Sequence, residues 1–179
     1  MGAGGLNWYH LVFELIDMRS FSNLWYWIML AVVWSSASHW VLGIPFDLIM
    51  QARRQGEAAN DDLQALARIN SNRLLGIVQV SGLWLAGMVF FVLSVLCTLG
   101  FYYRVEFAQA VFLIIAPITV VGLLSLRMAR RVTTASGTAE LVRLLTRHRI
   151  VVQGIGMLSI LVTSMWGMYQ NMQIGVFGY

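Results

Sequence analysis

A histidine stands inside the first long apolar run of this 179-residue sequence, in the stretch Trp34-Ser35-Ser36-Ala37-Ser38-His39-Trp40. An ionisable side chain among membrane-length apolar residues is costly and faces protein or water rather than lipid. His39, with the hydroxyls of Ser35, Ser36 and Ser38, is therefore the leading candidate for a polar intramembrane site. Three roles are open to it: first, a buried imidazole hydrogen-bonded to those hydroxyls; second, a contact for a proton or a quinone; third, an axial ligand to haem or chlorophyll. A two-histidine haem site needs a second imidazole at similar depth. His148 falls in an arginine-rich segment and His10 on the opposite side of the membrane, which leaves only His39 of a second copy in a homodimer. Asp47 follows Gly43-Ile44-Pro45 just beyond the same run. Its leading role is pairing with Arg53, Arg54 or one of the arginines between Arg127 and Arg149, and its sharper alternative is proton collection beside His39. A relay through the membrane would need further polar stations, and the third apolar run offers only Thr119 and Ser125.

The other concentration of chemistry is cationic. All twelve basic residues are arginine, and six of them, Arg127, Arg130, Arg131, Arg143, Arg147 and Arg149, fall within one short stretch. Beside apolar segments such a cluster fixes topology and holds anionic lipid head groups, at about 1 kcal/mol per arginine near a charged leaflet. An acidic partner protein is the alternative occupant. The net charge of +4 thus points to a membrane surface and not to nucleic acid.

Several chemistries lack their residues. The single cysteine, Cys97, lies in an apolar run, so disulfide frameworks, zinc knuckles and cluster ligation by this chain alone are excluded. The ten methionines are scattered and form no copper-binding row. No nucleotide loop or catalytic motif is present, and the expectation is a non-enzymatic chain with no bound metal.

The elements that must position these residues are membrane helices. The chain is 59% hydrophobic and 11% charged, with a positive mean hydropathy, a balance foreign to water-soluble domains. At about 1.5 Å rise per residue, four runs are long enough to cross roughly 30 Å of hydrocarbon: residues 24–44, 74–101, 107–126 and 150–169. The fold class expected is all-α, an integral membrane bundle of four transmembrane helices with short interfacial helices. Residues 1–23 form an outer segment whose Trp8, Leu11, Val12, Leu15 and Ile16 suit an interfacial helix. Residues 45–73 form a loop in which Asp61 and Asp62 open a helix that runs into the second span. Residues 102–106 are a short outer turn and 170–179 an outer tail. Residues 127–149 break at Thr133, Thr134, Ser136 and Gly137, then resume as a basic helix over Glu140 to Arg149, expected on or near the membrane surface before it enters as the fourth span. No cleavable signal is evident at the N-terminus, and no extramembrane domain or internal repeat is expected.

Ten of the twelve arginines fall in the two long loops, which the positive-inside rule places in the cytoplasm of a bacterial inner membrane with both termini periplasmic. Trp25, Tyr26, Trp27, Tyr102, Tyr103, Trp166 and Tyr169 gather where the outer interface should lie, whereas Trp34 and Trp84 fall deeper, as packing residues. Ser81, Gly82, Ala86 and Gly87 in the second span, and Gly154, Gly156, Ser159 and Thr163 in the fourth, allow close approach of helices.

Three stretches taken together, Phe13 to Trp27, Ser38 to Asp47 and Trp166 to Asn171, resemble a family of small alphaproteobacterial membrane proteins often labelled a component of the SufBCD complex. The likeness spans nearly the whole chain. It implies no catalytic residues, and within iron-sulfur assembly it implies a membrane anchor for soluble machinery. The function expected is a non-enzymatic accessory or assembly subunit of a larger membrane complex, in contact with lipids and open to homo-oligomerisation. The alternatives are a small haem- or quinone-interacting redox protein using His39, and a small oligomeric transporter. The transporter has least support, because no span carries a row of polar residues.

Overall fold

The computed structural model describes residues 20–54, 57–135 and 137–177. The interfacial helix expected around Trp8 to Ile16 lies outside them, as do the side chains of Arg53 and Arg54. A short 3-10 turn, Ser20–Ser22, leads into α1 (Leu24–His39). A two-stranded hairpin follows, β1 (Trp40–Val41) with β2 (Ile44–Pro45), and then α2 (Phe46–Arg54). Three long helices complete the chain: α3 (Glu57–Cys97), ending in a π-helical turn over Thr98–Tyr102, α4 (Glu106–Thr134) and α5 (Thr138–Phe177). These three are long and apolar enough to cross a membrane.

The first apolar run is not one helix. Hydropathy alone carries it to Ile44, but α1 stops at His39 after 16 residues, and the chain folds back antiparallel with Val41 opposite Ile44 and Trp40 opposite Pro45. The two residues at the hairpin tip both have positive φ, Leu42 at 54° and Gly43 at 72°. That is the backbone of the two-residue turns that match strand twist. Glycine takes this conformation without strain and leucine does not. The apolar character of Leu42 and Ile44 is used in packing, not in continuing the helix.

The segments expected to lie between spans are extensions of the spans. α3 runs unbroken for 41 residues, about 60 Å at the standard rise, roughly twice the hydrocarbon thickness. α5 is likewise continuous for 40 residues, so the basic stretch from Glu140 to Arg149 runs into the fourth apolar run and is coaxial with it. No proline interrupts it, and an unbroken helix spares the unsatisfied backbone groups that two extra termini would create.

These overhangs build a small helical head at the arginine-rich end. Ile44, Ile49, Leu63, Ala67, Met128, Val132, Leu141 and Leu145 are buried together there, drawn from the hairpin, α2, α3, α4 and α5. Each fully buried leucine or isoleucine contributes about 1.5–3 kcal/mol if the head stands in water. The core absent from the sequence reading is therefore at this end. Between the spans, burial is sparse.

The long helices pack as a row. α3 lies along α4, α4 along α5, and α1 leans on α5. Trp34 of α1 is buried against Gly156 of α5, and Phe21 against Gly167, with a Cβ on Gly156 falling only 2.8 Å from the indole. Small residues on α5 thus set the closeness of α1. The middle of α3 has no comparable neighbour. Val80, Leu83 and Trp84 are 84–88% exposed, and a Cβ added at Gly76 or Gly87 would meet nothing. Trp84, expected in packing, faces outward.

Candidate functional site

Two polar regions lie at opposite ends of the row. The arginine-rich end divides the six clustered arginines by direction. Arg127 and Arg131, four residues apart on α4, share one helical face, and with Arg147 and His148 of α5 they line a recess of about 280 Å³ floored by Leu124, Leu144 and Val151. Arg143 and Arg147 border a second recess, of about 580 Å³, beside Thr146 and Ile150. Arg130 is exposed. Arg149 turns inward, its guanidinium carbon 3.5 Å from the ring centroid of Phe46, a cation–π contact that ties α5 to α2.

His148 is buried at the first recess, with Nε2 3.2 Å from the Ser125 hydroxyl. That hydroxyl donates its own proton to the Val121 carbonyl at 2.9 Å. It is left to accept from His148, which assigns the Nε2–H tautomer. The pair pins α4 to α5 at the level where the arginines begin.

At the other end the polar centre is Gln109, 2% exposed in α4. Its amide nitrogen donates to the Gly100 carbonyl at 2.7 Å, and its oxygen accepts from the Trp166 indole at 2.9 Å and from the Gln170 amide. A Cβ on Gly100 would come within 3.0 Å of the Gln109 backbone nitrogen, so glycine is needed for the π-helical turn to lie against α4. Glu106 accepts from the Phe21 backbone N–H at 2.8 Å, and Ser22 donates to Asn171 at 2.8 Å. The Tyr26 hydroxyl donates to the Ala110 carbonyl. This network joins the starts of α1 and α4 to the ends of α3 and α5. Sequence reasoning missed it, although a glutamine beside an apolar run and the Trp166/Gln170 pair one turn apart were legible signals.

The expected intramembrane site is arranged differently. His39 is the last residue of α1 and exposed, Ser35 and Ser36 are exposed, and Ser38 is half-buried. Asp47 is exposed in the first turn of α2, where its charge suits the helix dipole. The hydroxyls of Ser81, Thr98, Thr119 and Ser125 each bond the carbonyl four residues back in their own helix. They are satisfied locally and do not form a chain of polar stations. Among the described residues, no three of histidine, cysteine, aspartate or glutamate gather as a metal site. Cys97 is exposed on α3.

Comparison with protein-family profiles, curated proteins and solved structures finds no match for this chain.

Proposed function

We propose that this chain is a non-enzymatic accessory or assembly subunit that docks laterally, through α3, against a larger complex of the bacterial inner membrane. One observation carries the reading: the face of α3 formed by Val80, Leu83 and Trp84 is almost entirely uncovered, while residues at both of its ends pack on α4. Lipid can cover an apolar helix. A helix held at both ends and left open between, with small residues at Gly76 and Gly87 that admit a neighbouring backbone, is shaped for another helix.

In this reading α1 is the fourth crossing. Its 16 residues extend about 24 Å, and its antiparallel contact with α5, from Phe21 at Gly167 to Trp34 at Gly156, supports a path across most of the hydrocarbon. The head holds Arg68, Arg73 and the six clustered arginines, while Arg104 sits in the turn at the other end. By the positive-inside rule the head is cytoplasmic and both termini are periplasmic. The resemblance to the family labelled a SufBCD component fits one form of this role, a membrane anchor whose cytoplasmic head receives soluble machinery.

The test is affinity capture of a tagged full-length chain from gently solubilised native membranes, compared with a Leu83→Ala/Trp84→Ala variant. The reading expects one membrane complex at near-stoichiometric yield, reduced at least tenfold by the double substitution. Equal background from both chains and from an unrelated four-helix control contradicts it.

A further inference from the structure

Beyond the basic recess, between the same two helices, lies an apolar groove of about 330 Å³ bordered by Pro117, Val120, Leu158 and Val162. On α4 the sequence Pro117, Val120, Leu124, Arg127, Arg131 advances by three or four residues at each step, and on α5 so does Val162, Leu158, Ile155, Val151, Arg147. Each set is one helical face. Recess and groove are therefore consecutive parts of one seam, cationic at the head and apolar toward mid-membrane. From Arg127 to Pro117 the seam covers about 15 Å of helix axis.

Its floor is fixed at two depths, by Ser125 with His148 and by the Ser159 hydroxyl, 3.5 Å from the Leu113 carbonyl oxygen. The residues of α5 that receive α1, Gly156 and Gly167, lie on a different face. The seam consequently opens away from α1, and it is separate from the exposed middle of α3.

We infer that this seam is a binding site for one anionic glycerophospholipid of the cytoplasmic leaflet, with the phosphate among Arg127, Arg131 and Arg147 and one acyl chain along Val120 and Leu158. Charge complementarity selects the occupant. Three arginines lining one recess favour a net-negative head group over a zwitterionic one, and the guanidinium fork suits phosphate oxygens in pairs. The apolar continuation favours an acyl chain over a soluble phosphate. Basic recesses between transmembrane helices on the cytoplasmic side are a recurrent form of lipid head-group site. The inference does not rest on lateral docking by α3, because it concerns another face.

The test is native mass spectrometry of the full-length chain in mild detergent, with phosphatidylglycerol or phosphatidylcholine of matched acyl chains. The site predicts retention of one phosphatidylglycerol per chain, at least tenfold over phosphatidylcholine. Arg127→Gln/Arg131→Gln/Arg147→Gln should lower retention at least tenfold, and so should Val120→Trp/Leu158→Trp, which fills the groove and leaves every charge in place. Arg68→Gln/Arg73→Gln/Arg130→Gln removes the same charge elsewhere and should retain the lipid. Equal losses in the two arginine triples would overturn the site in favour of diffuse attraction. Retention unchanged by the tryptophans, or displacement of the lipid by glycerol phosphate alone, would overturn the acyl groove.

Discussion

Gly156 of α5 lies directly beneath the indole of Trp34 of α1, at a separation that leaves no room for a methyl group. The indole is buried, so this contact, with that of Phe21 on Gly167, sets how closely α1 approaches. Gly156→Val should push α1 away and cost about 1–3 kcal/mol through overpacking. Unfolding in mixed micelles followed by tryptophan fluorescence measures it, with Gly154→Val, where a Cβ meets nothing, as the neutral comparison.

Gln109 satisfies three partners from one buried amide. Gln109→Leu keeps the volume and orphans the Gly100 carbonyl and the Trp166 indole. With about 0.6 kcal/mol for an average hydrogen bond between membrane helices and about 1.7 at the upper end, the loss should be about 1–3 kcal/mol. The Trp166 emission should shift in the same variant, and Gln109→Glu, which cannot donate to Gly100 when ionised, should be no better than leucine.

The head has a core that can be tested apart from the spans. Leu145 is fully buried there, and Leu145→Ala should cost about 2–5 kcal/mol. Limited proteolysis should then cut near residues 54–57 and 134–138 first, while the protease-protected spans stay intact. Leu123→Ala, on an exposed position of α4, should change neither.

At the hairpin tip, Leu42 holds a left-handed conformation that costs a non-glycine residue about 1–2 kcal/mol. Gly43→Ala should add to that strain, since its φ of 72° is equally unfavourable for alanine and the added Cβ would stand 3.2 Å from the Asn70 amide nitrogen. Hydrogen exchange at Ile44 should be faster in this variant.

What the sequence made legible was set by quantities that add along the chain. Hydropathy summed over α3, α4 and α5 marks membrane-length helices, and the clustering of Arg127 to Arg149 marks one end of the row. Local interruptions were harder to see. Trp40 to Ile44 is as apolar as the helix before it, so the end of α1 at His39 was hidden, with Gly43 and Pro45 the only signals of a turn. The polar character of Glu140 to Arg149 suggested a segment on or near the membrane surface that enters as the fourth span; polarity does not end a helix and no breaker lies there. Directions within the cluster were not legible at all. Arg147 and Arg149 are two residues apart, yet one borders a recess and the other lies over Phe46, a difference fixed by which helix each face of α5 meets. The five hydroxyl, imidazole and carboxylate groups from Ser35 to Asp47 drew attention by type, whereas Gln109, the best-connected polar side chain described, did not.

The central claim is that α3 is a docking face, and site-specific photo-crosslinking in native membranes tests it most directly. A photo-reactive side chain placed at Leu83 is compared with one at Met157, which is exposed on α5. The account predicts a discrete protein adduct of a single partner from position 83 and lipid adducts alone from position 157. Lipid adducts alone from both positions, or an adduct from position 83 that contains only a second copy of this chain, would contradict it.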